Sequence, residues 1–135
     1  MKETSTWYSP RLECDIRLVR WGHYGTPVLL FPTAGGDAEE VERFHLIGAI
    51  WPLIEAGRIK VYSCDSIAGR VWTEDGQPPA FRARIQSLYD SCMRHEVVPA
   101  IRQDCRNDGI EIVTAGASIG AFNAVASVCR HPDVF

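Results

Sequence analysis

Apolar and polar residues alternate along Cys14–Trp21 (CDIRLVRW). Ile16 and Leu18 face one side and Asp15 and Arg17 the other, the two-residue period of a half-buried strand. Pro27–Phe31 (PVLLF) has no alternation and reads as a strand buried on both faces, as in a parallel sheet. Arg58–Cys64 (RIKVYSC) is a further strand, with Ile59, Val61 and Tyr62 as packing positions. The β-branched run Ile110, Ile112, Val113 ends in Thr114–Ala115 and gives the last strand. Trp7–Pro10 reads as a short edge segment halted by its proline.

Between these strands the apolar period lengthens toward 3.6. Val41, Phe44, Leu46–Ile47, Ile50 and Leu53–Ile54 recur at helical spacing behind Asp37 as a cap, with Glu39 and Glu40 in the first turn. Gly48 and Pro52 divide this stretch into two short helices, and Gly57 ends the second. Phe81, Ile85, Leu88 and Cys92 share one face of a helix within residues 79–105, which Pro99 interrupts. Residues 65–79 read as a long connection. Strands alternate with helices, so the fold class is α/β in a single domain, its sheet parallel apart from the first strands and flanked by helices.

The candidate chemistry lies where the last strand meets the last helix. Gly116-Ala117-Ser118-Ile119-Gly120 is a G-x-S-x-G pattern, followed by a helix carrying Ala121, Phe122, Ala124, Val125 and Val128. Strand, sharp turn and helix are the context of a nucleophile elbow. A serine on so tight a corner needs neighbours without side chains, which Gly116 and Gly120 supply. Its hydroxyl then faces the N–H groups that open the helix, which favour negative charge there. The alternative is a glycine-assisted turn in which Ser118 only caps the helix. Pro32-Thr33-Ala34-Gly35-Gly36-Asp37 follows the buried PVLLF strand. In a hydrolase-type sheet that loop offers one oxyanion-hole N–H, from Ala34 or Gly35, and Ile119 offers the other.

The other chemistry-bearing residues read as structural. His23 sits in a turn, and His45 and His95 on helices. Asp65 stands at a strand end and reads as a turn or cap aspartate. Trp72, in the long connection, is a candidate pocket wall or a packing aromatic. The five scattered cysteines have no C-x-x-C pair and read as free thiols in a reducing, cytoplasmic setting. No metal or organic cofactor is expected. A net charge of −3 gives no electrostatic case for nucleic acid, and no apolar run approaches a membrane span. Neither G-x-G-x-x-G nor G-x-x-x-x-G-K-[ST] occurs, which argues against a nucleotide-binding domain.

Several segments together resemble one family. They are WYSP near the start, GHYGTPVLLFPTAGG, FHLIGAIWPLIEAGRIKVYSCDS, VVPAIR and GASIGAFNAV. They look like the esterase D-like branch of the α/β-hydrolase superfamily, over essentially the whole chain. The resemblance implies Ser118 as nucleophile, the Thr33–Gly36 loop and Ile119 as oxyanion donors, and a small-molecule ester as substrate, cleaved through an acyl-enzyme. Acyl transfer on the same fold, or a non-catalytic binding or assembly module, stays open. The triad order places the acid and then the histidine after the serine. His131 lies twelve residues beyond the helix start, ~18 Å along its axis at about 1.5 Å per residue. The expectation is therefore that 1–135 is the N-terminal part of one hydrolase domain, with the strands bearing acid and histidine absent. Such a part is expected to be inactive alone, and either to self-associate through an uncovered sheet edge or to be only marginally stable.

Overall fold

The computed structural model describes residues 1–135. Five strands form one sheet in the order β1-β2-β4-β3-β5. They are β1 (Lys2–Ser9), β2 (Cys14–Trp21), β3 (Thr26–Phe31), β4 (Ile59–Cys64) and β5 (Val113–Gly116). The helices are α1 (Glu40–Arg43), α2 (Leu46–Glu55), α3 (Ile67–Thr73), α4 (Pro79–Cys92), α5 (Val98–Cys105) and α6 (Ile119–Arg130). β1 and β2 pair antiparallel, as do β2 and β4, while β3 runs parallel to both β4 and β5. None of the helices is long and apolar enough to cross a membrane.

The two-residue period of the strands divides the core between the two faces of the sheet. Ile16, Leu18, Leu29, Phe31, Tyr62 and Cys64 pack with Tyr89, Met93, Val97 and Ile101 from the α4–α5 side. Val19, Trp21, Leu30 and Val61 pack on the opposite face against Val41, Ile47 and Ile54 of α1 and α2. Both faces of β2, β3 and β4 are therefore covered, the arrangement that parallel strands require.

Four elements differ from the sequence expectation, and in addition β5 begins only at Val113, while Ile112, read as strand, donates its N–H to the Val134 carbonyl (2.9 Å). β1 spans eight residues rather than the short Trp7–Pro10 segment. It is an edge strand whose residues before Trp7 are all exposed, so it carries no apolar pattern, and its register comes from backbone pairing with β2. The connection after β4 contains α3. The break between α1 and α2 falls at His45, which takes a left-handed conformation (φ 64°), and Pro52 stays inside α2. Both Pro52 and Gly48 are exposed, so the Gly48 carbonyl that Pro52 leaves without a donor is solvated. Finally, the buried side of α4 is Gln86, Tyr89, Asp90 and Cys92, whereas Phe81 is exposed. Polar residues can occupy that side because they are satisfied. Gln86 donates to Asn123 Oδ1 (2.9 Å), and Asp90 pairs with Arg130. Tyr89 meets Phe31 edge-on. A π-helical turn, Met93–Val97, joins α4 to α5 just before Pro99 and absorbs the mismatch that a mid-helix proline causes.

That turn carries Glu96, which locks β1 to the helical layer. Its carboxylate accepts from Trp7 Nε1 (3.0 Å), Ser9 Oγ (2.9 Å) and Arg11 (3.1 Å). Burial works to raise the Glu96 pKa, but the hydrogen bonds from Trp7, Arg11 and Ser9 outweigh it, so the group titrates below its ordinary 4.5. A carboxylate with a depressed folded-state pKa stabilises the fold above the unfolded value and loses that contribution as pH falls through the folded one. Glu96→Gln is therefore expected to cost about 1–2 kcal/mol at neutral pH. The gap to the parent narrows as pH drops below about 4.5. Urea denaturation across that range measures both.

β5 is the sheet's other edge, with Val113 half exposed. Phe122, Val125 and Val128 of α6 are also exposed.

Candidate functional site

Ser118 occupies the corner between β5 and α6. Its backbone sits at φ 57°, ψ −128°, a region that side-chain-bearing residues rarely adopt and that costs on the order of 1–3 kcal/mol. The hydroxyl makes no capping bond to the helix, so a capping role does not account for the residue. Instead the Ser118 carbonyl accepts the N–H groups of Ala121 (3.0 Å) and Phe122 (3.3 Å) and starts α6, while the side chain is exposed.

The glycines on either side have separate steric reasons. A Cβ at Gly116 would lie under 3.0 Å from the Gly120 carbonyl group, so the incoming strand passes directly against the first turn of the helix. A Cβ at Gly120 would meet the carbonyl oxygens of Phe31 and Pro32, also under 3.0 Å. Gly120 thus packs α6 onto the end of β3, next to the start of the Thr33–Gly36 loop.

Parallel pairing of β3 with β5, with Phe31 opposite Gly116, sets the two loops side by side at the same rim of the sheet. A third element closes the group. Gly69 of α3 has Ala34 Cα and Ile119 Cγ2 each 3.3 Å from where its Cβ would stand, so Ala34 and Ile119 are no more than twice that distance apart. The N–H groups of Ala34, Gly35 and Ile119 meet no acceptor in the protein, and Ala34 and Gly35 are exposed. Gly35 is left-handed (φ 73°), and the loop closes with Gly36 donating to the Thr33 carbonyl (3.0 Å).

Two buried carboxylates hold this loop. Glu40, expected in the first turn of the helix, is 7% exposed and accepts both the Thr33 N–H (2.7 Å) and the Thr33 hydroxyl (2.6 Å). Asp65, at the end of β4, accepts the Ala38 N–H (2.9 Å) and the Arg17 N–H (3.0 Å), as a turn-fixing aspartate would. The Gly36 carbonyl accepts the Ser66 N–H (3.0 Å). Sequence reading missed both Glu40 and Gly69. The only signal for Glu40 was its seven-residue distance from Thr33, and Gly69 lay in a segment with no recognised helix.

Trp72 lies on α3 one turn beyond Gly69. Its indole donates to Gln86 Oε1 (3.2 Å), and the Arg82 guanidinium stands 5.9 Å from the ring centre. No side chain of this chain hydrogen-bonds the Ser118 hydroxyl. His23, His45 and His95 are exposed. His131 is at the far end of α6, where burial and then the Arg94 charge lower its pKa. No cluster of three or more His, Cys, Asp or Glu side chains is arranged to hold a metal ion.

No family model matches the chain, and no curated protein does. Solved structures resemble it over its whole length. A ferulic acid esterase superposes with a TM-score of 0.73 at 19% identity, covering 100% of this chain and 57% of its own. The enterobactin esterase FES from Shigella flexneri gives 0.70 at 16% identity, covering 100% and 34%. An S-formylglutathione hydrolase from Agrobacterium tumefaciens gives 0.66 at 16% identity, covering 100% and 55%. At such identities the likeness is one of fold. The chain therefore has the α/β-hydrolase fold that these esterases share, over a stretch spanning between 34% and 57% of their length.

Proposed function

We propose that this chain is the nucleophile-bearing part of a serine esterase that cleaves a carboxylic ester through an acyl-enzyme. The observation that carries this reading is the exposed Ser118 hydroxyl at φ 57° beside the unbonded N–H groups of Ala34, Gly35 and Ile119. A conformation that strained persists only where the surrounding structure enforces it. Gly116 and Gly120 do so here by close backbone approach on either side of the corner.

In the reaction Ser118 Oγ bonds to the ester carbonyl carbon, and its proton passes to a base. The carbonyl oxygen takes the electron pair as an oxyanion, stabilised by the N–H groups of Ile119 and of Ala34 or Gly35. Each such donor is worth about 3–4 kcal/mol. Collapse of the tetrahedral intermediate expels the alcohol, and water then attacks the acyl-serine to release the acid. Trp72, one turn beyond Gly69 on α3, walls the acyl or alcohol side. No histidine of this chain reaches Ser118, so the chain alone turns over esters slowly, limited to what oxyanion stabilisation supplies.

The test is adduct formation with a fluorophosphonate. The folded chain is expected to label at Ser118 at least tenfold faster than the same chain in urea, and Ser118→Ala is expected to show no adduct. A folded-state rate no greater than the unfolded one overturns the reading. The exclusive modification of another serine does so too.

A further inference from the structure

We propose that the cleft at the rim of the sheet opposite Ser118 binds a small molecule carrying two or more phosphate groups. This cleft encloses about 1000 Å³ between the starts of β3 and β4, the end of β2 and the end of α5. Arg20, Arg58, Lys60 and Arg106 line it, with Asp104 as the only carboxylate. It is therefore strongly positive in a chain whose net charge is −3.

The pairing of these cations separates the cleft from an ordinary basic surface. Of the fourteen Lys and Arg residues, nine are ion-paired with a carboxylate and two donate to backbone carbonyls. Arg58, Arg84 and Arg106 have no acceptor, and two of these three line the cleft. The deeper pair, Arg20 and Lys60, is balanced by two carboxylates, Asp104 and Glu3, and so leaves the charge of Arg58 and Arg106 unopposed. Lys60 (2.7 Å) and Arg20 (2.7 Å) share the single carboxylate of Asp104, which also accepts the Tyr62 hydroxyl (2.6 Å). Arg20 reaches one further carboxylate, the exposed Glu3, and its buried Nε has no partner. Arg58 and Arg106 are exposed and unpaired beside that balanced pair, so the cleft holds more cations than carboxylates, a net positive field that favours an anion. Guanidinium forks suit phosphate oxygens in pairs, and Arg58 and Arg106 are free to close on them.

The competing account is that these cations only offset the carbonyl ends of α2 and α5, which finish at this rim. The two accounts differ in whether a ligand binds. Calorimetric titration of the whole chain with pyrophosphate at low ionic strength is expected to show one site, at least tenfold tighter than for orthophosphate and weakening as salt is added. Arg58→Gln and Arg106→Asn are each expected to weaken it about tenfold. Asparagine accepts the left-handed backbone at position 106 (φ 52°), and both arginines are exposed, so the fold is retained. Arg84→Gln removes the third unpaired arginine, on α4, and is expected to change the affinity less than twofold. No binding at millimolar pyrophosphate overturns the proposal. Equal loss in the Arg84 variant does so as well, since it signals diffuse charge, and so does citrate binding as tightly as pyrophosphate.

Discussion

Gly120→Ala is expected to lower the stability of the chain by about 3–4 kcal/mol, above the ~1–3 kcal/mol usual for overpacking substitutions. The new methyl group would be driven against the carbonyl oxygens of Phe31 and Pro32. These are backbone atoms at the end of a central strand, so no side-chain rotation relieves the contact. To accept the methyl, α6 must lift from β3, and the β5–α6 corner moves with it. With a total stability of 5–15 kcal/mol, as is usual for a domain, such a loss lowers the melting temperature by ~12 °C or more. Gly48→Ala is the matched control. Nothing lies within 4 Å of the Cβ it would add, and the position is an exposed helical one. There alanine is expected to stabilise by about 0.5–1 kcal/mol. Thermal denaturation of the two variants side by side checks the argument, and a Gly120→Ala chain as stable as the parent would refute it.

Asp65→Ala is expected to cost about 3 kcal/mol and to slow fluorophosphonate labelling of Ser118. Its side chain is 8% exposed and ties together β2, the end of β4 and the loop after β3. Alanine leaves the buried Ala38 N–H without an acceptor and the Arg17 N–H without its carboxylate. Each such loss costs roughly 1–3 kcal/mol. It also leaves the Arg17 and Arg70 guanidiniums without this partner. Ala38 stands two residues beyond the Thr33–Gly36 turn, so releasing it loosens the placement of the Ala34 and Gly35 N–H groups. Urea melts combined with the labelling rate distinguish the outcomes. A large stability loss with unchanged labelling of the folded fraction would show that Glu40 alone holds the loop.

The buried strands and the last corner were legible because their patterns are local. PVLLF and VTAGASIG state their local structure in consecutive residues, although Ile110 and Ile112, read as strand, precede β5, and the Asp65 side chain has the structural role that its strand-end position suggested. What was not legible depends on partners distant in sequence. β1 has no apolar period of its own and exists because β2 offers it a backbone edge. α4 turns Gln86 and Asp90 inward rather than Phe81 because Asn123 and Arg130 satisfy them from α6. Glu40 is buried because Thr33 donates to it twice. Gly69 shows its importance only once Ala34 and Ile119 stand on either side of it.

The sheet order has a consequence for how the chain acquires its shape. β3 pairs with β4 about thirty residues away, but with β5 only after a span of some eighty-five, Val28 meeting Val113. Closing the longer loop costs more entropy and returns only a four-residue strand. The strained corner at Ser118 therefore forms late, against a surface already built from β2, β3 and β4. On a growing polypeptide, residues 1–105 can assemble first, and residues 106–135 lock into place afterwards.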